Sequence, residues 1–512
     1  MICAFVIIVI GSGVCVHGDG ADGFAAGEYW KGIIPKPKSY VISSGQYILT
    51  GQEKIVVRGR SSAETDEIFR TGSYFADKVR LSTGFSFGVV RGDIPAQGNI
   101  TLVSDNSDLS LGQEGYNISI TLNGIYIYAY TPEGLFRGVQ TLRQMFPPEI
   151  ELNERVAGVR WAVPVSEIRD QPVYEWRGMM LDVSRHFFSV ETVKRSIDCA
   201  AAYKINIFHL HLTDDQGWRI EIKSWPGLAV IGGRTQIDGK QGGYFSQQDY
   251  IDIVKYAADR YIEIIPEIEM PAHINAALAS YGILNPDGIP AQPLAKGSST
   301  LMCRSEATWK FVTDVISEIA AITPGRYIHI GGDEATVTPE ADYRYFIGRV
   351  NSIIESCGKK MIGWNPVQKG DDMSSETIVQ YWVNIDKDIS AAIENEMMLI
   401  MSPAKKAYLD MKYSPETDLG LKWAGYISVQ AGYSWDPEDY TSSENILGVE
   451  CPLWTETIET ADDIDYMVYP RLLGYAEIGW TERSLRDWDD YRQRLQVHYK
   501  RMSFLGIRFS SE

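Results

Sequence analysis

The chain has 512 residues, enough for one large barrel with an accessory domain or for two or three smaller units. With 45% hydrophobic and 22% charged residues it is a folding chain and not a disordered one, and its formal charge of −19 argues against nucleic acid or an anionic membrane surface as partner. Its 13 Trp and 29 Tyr suit a site that stacks on sugars, although a large core uses the same residues.

Residues 2–16 are almost entirely apolar or small and end near Gly18-Asp19-Gly20. That run is too short to span a bilayer and has the length of a secretory h-region, without a basic stretch before it. The expectation is a secretion signal over 1–20, an exported chain and no membrane span. In the body Cys199, Cys303, Cys357 and Cys451 are widely spaced and make neither a disulfide framework nor a zinc pattern. No cofactor and no metal are expected.

Short strand-like runs come next, at 46–49, 54–57, 100–103 and 116–120. The alternating run 124–130 pairs back onto the strand before it through a Leu122-Asn123-Gly124 turn. Stretches 63–81 and 132–145 carry helical periodicity. Strands with two helices on one side predict a small α+β domain over 30–170, with 161–171 as its connector to the next unit.

From 174 to 510 the texture changes. Apolar runs recur at 178–183, 205–212, 262–268, 327–330, 361–364, 377–382, 398–401 and 446–449, alternating with helices such as 190–203 and 247–259. Buried parallel strands read as continuous apolar runs, so eight of them alternating with helices predict a (β/α)8 barrel. A doubly wound sheet is disfavoured because no Gly-rich phosphate loop follows the first run.

In such a barrel the chemistry belongs just after each strand. Carboxylates and aromatics collect there: Asp182, Arg185 and His186; Asp214, Asp215 and Trp218; Glu267, Glu269 and His273; Asp333 and Glu334; Trp364; Trp382; Tyr408 and Asp410; Glu450, Trp454 and Glu456. The most informative stretch is Tyr-Ile-His-Ile-Gly-Gly-Asp-Glu at 327–334, a strand breaking at two glycines to present adjacent carboxyls. Two acids side by side repel, so their pKa values should separate, one ionised and one protonated near neutrality.

Six segments resemble signatures of the family 20 glycoside hydrolases, the β-N-acetylhexosaminidases. They are Arg177-Gly-Met-Met-Leu-Asp-Val-Ser-Arg-His-Phe-Phe, His209-Leu-His-Leu-Thr-Asp-Asp-Gln-Gly-Trp-Arg, Pro266-Glu-Ile-Glu-Met-Pro-Ala-His, His329-Ile-Gly-Gly-Asp-Glu, Tyr408-Leu-Asp-Met-Lys-Tyr and Pro452-Leu-Trp-Thr-Glu. The resemblance covers about 30–510. It implies hydrolysis of terminal β-linked GlcNAc, and of GalNAc as a second substrate, with retention and with the substrate's own acetamido oxygen as nucleophile, an exception to the two-carboxylate rule. Glu334 would be the acid and base, protonated at the start. Asp333 would be ionised and hold the acetamido N–H. Tyr408 would hydrogen-bond the acetamido oxygen, and Trp364, Trp382 and Trp454 would wall its pocket. Arg177 would fork onto sugar hydroxyls, Asp410 and Glu456 would accept from others, and Asp215 with His273 would tune Glu334, with Asp214 the alternative to Asp215. Two departures stand out: Pro271-Ala272-His273 where the family reads Pro-Gly-His, and no Trp shortly after Glu334.

Three other readings compete. A lacto-N-biosidase-like member of the family needs a more open pocket than Asp410 and Glu456 suggest. A non-catalytic sugar-binding relative would be expected to lack Asp333 or Glu334. A metal-dependent amidohydrolase would use His209-x-His211, but such a site wants further histidines, and the chain has only 7.

Overall fold

The computed structural model describes residues 27–92, 98–294, 299–383 and 385–511. The expected leader at 1–20 lies outside them. Among the described residues no helix is long and apolar enough to cross a membrane.

The first unit is a seven-stranded sheet. It comprises β1 (Ser39–Ile48), β2 (Lys54–Arg58), β3 (Gly88–Arg91), β4 (Ile100–Ser104), β5 (Tyr116–Thr121), β6 (Gly124–Ala129) and β7 (Ala162–Asp170), in the order β1-β7-β5-β6-β4-β2-β3. The expected hairpin is present, with Thr121 opposite Gly124. Two helices, α1 (Ser62–Thr83) and α2 (Pro132–Met145), pack over the sheet. Each starts at a hydroxyl cap: Ser61 accepts from the Glu64 amide and Thr131 from that of Gly134. β5 alternates as a half-buried strand must, with Tyr116, Ile118 and Ile120 turned into the core.

The stretch expected to be a connector is instead β7, hydrogen-bonded to β1 on one side and β5 on the other. Pro164 and the charged Glu167, Arg169 and Asp170 hide its strand character. The proline is accommodated because it faces β1 beside the irregularity between Ile42 and Gln46, where the ladder is already broken. The short β3 also goes unseen in the sequence.

The second unit is a closed barrel of parallel strands: β8 (Trp176–Asp182), β9 (Ile207–His211), β12 (Glu263–Glu267), β13 (Tyr327–His329), β14 (Lys360–Trp364), β15 (Ile378–Tyr381), β16 (Met398–Met401) and β17 (Ile446–Leu453). A two-rung ribbon, β10 (Thr213–Asp214) with β11 (Gly217–Trp218), stands on its rim after β9. All eight predicted runs are barrel strands. Around them lie α3 (Val190–Ala201), α4 (Gln247–Ala258), α5 (Asn275–Ser280), α6 (Glu306–Ile322), α7 (Glu340–Ser356), α8 (Ile385–Glu394), α9 (Ala404–Ala407), α10 (Val429–Tyr433), α11 (Ala461–Val468), α12 (Arg471–Trp480) and α13 (Trp488–Phe504). Only a 3-10 turn, Val367–Lys369, stands where a helix would follow β14.

The barrel interior is stratified. Trp176, Ile207, Ile265, Tyr327, Ile362 and Ile400 close its N-terminal end as an apolar plug. Above them the filling turns polar, with His209, His211, Glu267, His329, Gln380 and Glu450 all buried. A buried polar layer persists only where its members find partners, which requires a network.

The two units share charged pairs. The Lys204 ammonium, fully buried, lies 3.0 Å from Asp170 Oδ2, 2.8 Å from the Tyr116 hydroxyl and 4.3 Å from the Trp480 ring centre. Arg177 and Arg137 converge on Glu114 of the first unit. Arg494 of α13 pairs with Glu477 and donates to the Ile33 carbonyl.

Candidate active site

The C-terminal ends of the strands build one cluster around Asp214. Arg185 Nη2 lies 2.8 Å from Asp214 Oδ2, His211 Nε2 3.3 Å from the same oxygen, and His273 Nδ1 3.5 Å from Oδ1. Burial works against ionising Asp214, but Arg185 and His273 outweigh it and hold the carboxyl well below the usual range. His273 continues the chain, its Nε2 3.4 Å from Glu334 Oε2. Burial disfavours its charge, yet Asp214 and Glu334 raise its pKa far above the ordinary histidine value, so it is a cation.

Glu334 and Asp333 are neighbours in sequence and opposites in surroundings. The Glu334 side chain is 56% exposed at the rim. The hydrogen bond from His273 holds it below its ordinary value despite partial burial. Asp333 is half-buried, its Oδ1 shut off from solvent. Burial pushes its carboxyl up to about 6, with His273 pulling the other way and Glu334 and Glu267 adding to the rise. The split exists, but in the sense opposite to the expectation: without a ligand, Glu334 is the ionised member and Asp333 the one held toward neutrality. The sequence cannot show which of two adjacent acids the bend turns inward.

That bend depends on its glycines. Gly331 and Gly332 have φ of 65° and 90°, and Glu334 itself has φ of 45°. A side chain at Gly331 would run into the Glu269 carboxylate, and one at Gly332 into Val367. A non-glycine residue held at positive φ on a catalytic rim is strain of the kind that surrounding structure must impose. Ala272 tolerates its methyl because the left-handed residue in that turn is His273, at φ 51°.

Below the rim Glu267 is a hub. Its Oε1 accepts from Trp364 Nε1 at 2.7 Å and lies 2.9 Å from His329 Nδ1; its Oε2 lies 2.5 Å from His211 Nδ1 and 3.1 Å from His209 Nε2. Burial opposes its charge, but the three histidines keep it ionised. Burial likewise opposes the charge on His209 and His211, and Glu267 with Glu450 or Asp214 raises them to about 9 and about 10. These histidines are buried network members. Glu269, buried near Asp333 and Glu267, is pushed well above the carboxylate range, burial being the main cause.

An aromatic box stands beside the acids. Trp454 lies 5.9 Å from Trp364 and 6.3 Å from Tyr408, centre to centre, and Trp423 lies 5.8 Å from Tyr408 and 6.2 Å from Trp382. Trp364 and Trp382 are fixed by indole hydrogen bonds to Glu267 and to the Asn365 carbonyl. At the closed end Asp410 is buried, and neither carboxylate oxygen has a hydrogen-bond partner among the described residues; Glu456 Oε2 shares that condition. Burial, reinforced by Glu456, raises Asp410 well above the usual range. Unpartnered buried acceptors are costly unless a ligand's hydroxyls complete them.

A cleft of about 640 Å³ opens from Glu334 past Trp382 and Trp423. A larger groove, about 870 Å³, lies at the other end of the barrel against Glu114, Trp176 and Tyr327. Size does not locate the chemistry here, because the coupled acids, the cationic histidine and the aromatic box all sit at the smaller opening.

Two residue assignments change. Arg177 is at the entry of β8, at the barrel's far end, fully buried and bonded to Glu114 and to the carbonyls of Lys204 and Tyr174. A seven-residue strand cannot bring its second residue to the C-terminal mouth. Arg185, eight positions on, is the arginine of the site. It lies over Trp454 at 4.9 Å and is anchored by Asp182, Asp214 and Gln216. Counting strand length within the same motif would have found it. Asp215 makes no ion pair with His273 among the described residues: it accepts from the Asn275 amide and the Ser299 hydroxyl. Asp214 takes that place. Trp423, exposed in a loop after α9, carried no signal in the sequence.

The description "Glycosyl hydrolase family 20, catalytic domain" matches residues 174–483, and "Glycosyl hydrolase family 20, domain 2" matches 31–171. This chain belongs to glycosyl hydrolase family 20. It is 36% identical over 488 residues to a β-N-acetylhexosaminidase of Cellulomonas fimi, covering 93% of this chain and 95% of that one. The GH20 β-N-acetylhexosaminidase of Streptomyces coelicolor A3(2) superposes with a TM-score of 0.89 at 43% identity, over 96% of this chain and 99% of that chain. A mutant Streptomyces plicatus β-hexosaminidase in complex with its product GlcNAc gives 0.89 at 44% identity, over 94% and 97%. The GH20 chain is thus a glycoside hydrolase of the β-N-acetylhexosaminidase kind.

Proposed function

We propose that this GH20 protein is a retaining exo-hydrolase that removes terminal β-linked GlcNAc, and GalNAc as a second substrate, from chitooligosaccharides or glycans through an oxazolinium intermediate. The observation that carries the reading is the contrast between two consecutive carboxyls. Asp333 is half-buried with its Oδ1 shut off from solvent, and Glu334 is exposed at the rim beside a cationic His273. The exposed acid can meet both a leaving group and a water, whereas the more buried one meets the ligand.

Binding of a sugar would cover Glu334 and remove the water that favours its charge. Glu334 then takes up a proton and gives it to the glycosidic oxygen as the bond to C1 breaks. The acetamido oxygen forms the new bond to C1, oriented by the Tyr408 hydroxyl, while ionised Asp333 accepts from the acetamido N–H and stabilises the positive charge that grows there. In the second step the Glu334 carboxylate takes a proton from water as the water oxygen attacks C1 and the acetamido oxygen departs. Trp364, Trp382 and Trp454 hold the acetamide against C1 and keep water from it. Arg185, with N–H groups beyond those it gives to Asp182, Asp214 and Gln216, and Asp410 and Glu456, with unpaired oxygens, would read the hydroxyls of a chain-terminal sugar. The GlcNAc product of the Streptomyces plicatus relative supports the choice of sugar.

Glu334→Gln should lower hydrolysis of glycosides with poor leaving groups by roughly 100-fold or more. Full activity in that variant would overturn the acid assignment. A thiazoline mimic of the oxazolinium should bind far more tightly than GlcNAc, and equal affinity would count against participation by the acetamide. Export, expected from residues 2–16, belongs to the same proposal, and mass spectrometry of the native N-terminus would check it.

A further inference from the structure

We propose that His186, Asp238 and Glu459 form a site for a divalent transition metal of the zinc class, on the rim of the barrel but outside the sugar pocket. His186 is buried, and its Nδ1 lies 2.6 Å from the Thr455 carbonyl oxygen. A carbonyl only accepts, so the neutral ring carries its proton on Nδ1 and leaves a bare lone pair on Nε2. Nε2 has no hydrogen-bond partner among the described residues and lies 3.9 Å from Asp238 Oδ2. With a Glu459 carboxylate oxygen, the three atoms all fall within 4.8 Å of one another.

An imidazole whose other nitrogen donates to a backbone carbonyl is the usual posture of a metal-binding histidine. One imidazole and two carboxylates, with water in a fourth position, suit Zn²⁺ or a similar first-row ion better than Mg²⁺. At bond lengths of about 2.1 Å the ligands of a tetrahedral ion stand about 3.4 Å apart. Closing the present spread takes a shift of up to about 1.4 Å, and the two carboxylates are on exposed segments that can make it.

A cation already visits this place. The Lys240 ammonium lies 2.7 Å from Asp238 Oδ2 and 2.8 Å from Glu459 Oε2. Its side chain is 64% exposed, so it can swing into solvent when an ion arrives. Lys240 is thus a built-in competitor. The ion would tie three segments together: the one carrying Arg185 and His186, the 235–241 hairpin that leans on it through the bond from the Ile237 amide to the Arg185 carbonyl, and the stretch just beyond Glu456.

Calorimetric titration of the chelator-stripped full chain with Zn²⁺, and with Mg²⁺ as the control, tests the site. One Zn²⁺ per chain should bind, with Mg²⁺ far weaker. His186→Gln should weaken Zn²⁺ by about 100-fold. Should that buried substitution unfold the protein, Asp238→Asn and Glu459→Gln, both on the surface, should each weaken it at least about ten-fold. Lys240→Met should tighten it by about three- to ten-fold, since two exposed ion pairs no longer compete. The proposal fails if Lys240→Met binds no Zn²⁺, if Mg²⁺ binds as tightly, or if binding survives Asp238→Asn and Glu459→Gln and is lost in His273→Gln, which would place the ion among the catalytic groups.

Discussion

The Asp333→Asn variant should be more stable than wild type above pH 6, by about 2 kcal/mol, and lose that advantage, becoming slightly the less stable, near pH 4. The Asp333 carboxyl is raised from 3.8 to about 6, chiefly by burial. At about 1.4 kcal/mol per tenfold change, keeping that carboxylate ionised at pH 7.5 costs the ligand-free fold roughly 3 kcal/mol relative to the unfolded chain. The sign is set by which form each state prefers. Well below pH 3.8 the group is neutral in both states and costs nothing; between 3.8 and about 6 the unfolded chain ionises while the folded chain does not, so stability is lost over that window and stays level above it. An asparagine is never charged and escapes this, less roughly 1 kcal/mol for an amide that finds imperfect partners. The assay is thermal denaturation of both proteins between pH 4 and pH 8, with activity measured in parallel. A gap in melting temperature that opens as pH rises, in favour of a nearly inactive variant, is the expected result. A variant less stable than wild type at pH 8, or a gap that does not close toward pH 4, would refute the reasoning.

The same carboxyl should set the acid limb of kcat/KM, which would fall below about pH 6 as Asp333 takes up a proton, and the limb should vanish in the residual activity of Asp333→Asn. Arg177→Met should destabilise the fold by on the order of 3 kcal/mol, through loss of a buried partner of Glu114, and leave kcat/KM of the folded fraction unchanged. Arg185→Lys should do the reverse, lowering kcat/KM about 10- to 100-fold with the melting temperature little moved. Tyr408→Phe should lower kcat about 100-fold with KM nearly constant, because the ring still packs while the hydroxyl is lost; a change confined to KM would place that hydroxyl in ground-state binding instead.

Much of this architecture was legible because it rests on periodicity. The eight barrel strands are buried on both faces and read as unbroken apolar runs, and the hairpin at Leu122-Asn123-Gly124 announces itself. β7 was not legible, since Pro164 and three charges look like a connector until the irregularity in β1 that accommodates them is seen. At the site, residue types at strand ends pointed to one rim, and there the structure does bring Asp333, Glu334, Trp364, Trp382, Tyr408 and Trp454 together. What failed were distinctions between near neighbours. Asp214 and Asp215 differ only in the partners their carboxylates take, Arg185 and two histidines for one, the Asn275 amide and Ser299 for the other. Arg177 and Arg185 share a motif but stand at opposite ends of one strand. Which of Asp333 and Glu334 is ionised depends on burial and on His273, which comes from a different strand end, and no local pattern encodes that.

The pairing of Lys204 with Asp170 and of Arg177 with Glu114 has a consequence for how this protein can be inherited. The barrel carries the chemistry, yet two of its buried cations find their counter-charges only on the small sheet unit. Severed before residue 174, it would keep every catalytic side chain but lose both counter-charges and bare to water the surface that the sheet unit now covers. Recombination could therefore append or remove modules outside this pair far more readily than between its halves. The unit that evolution can move is the sheet and barrel together.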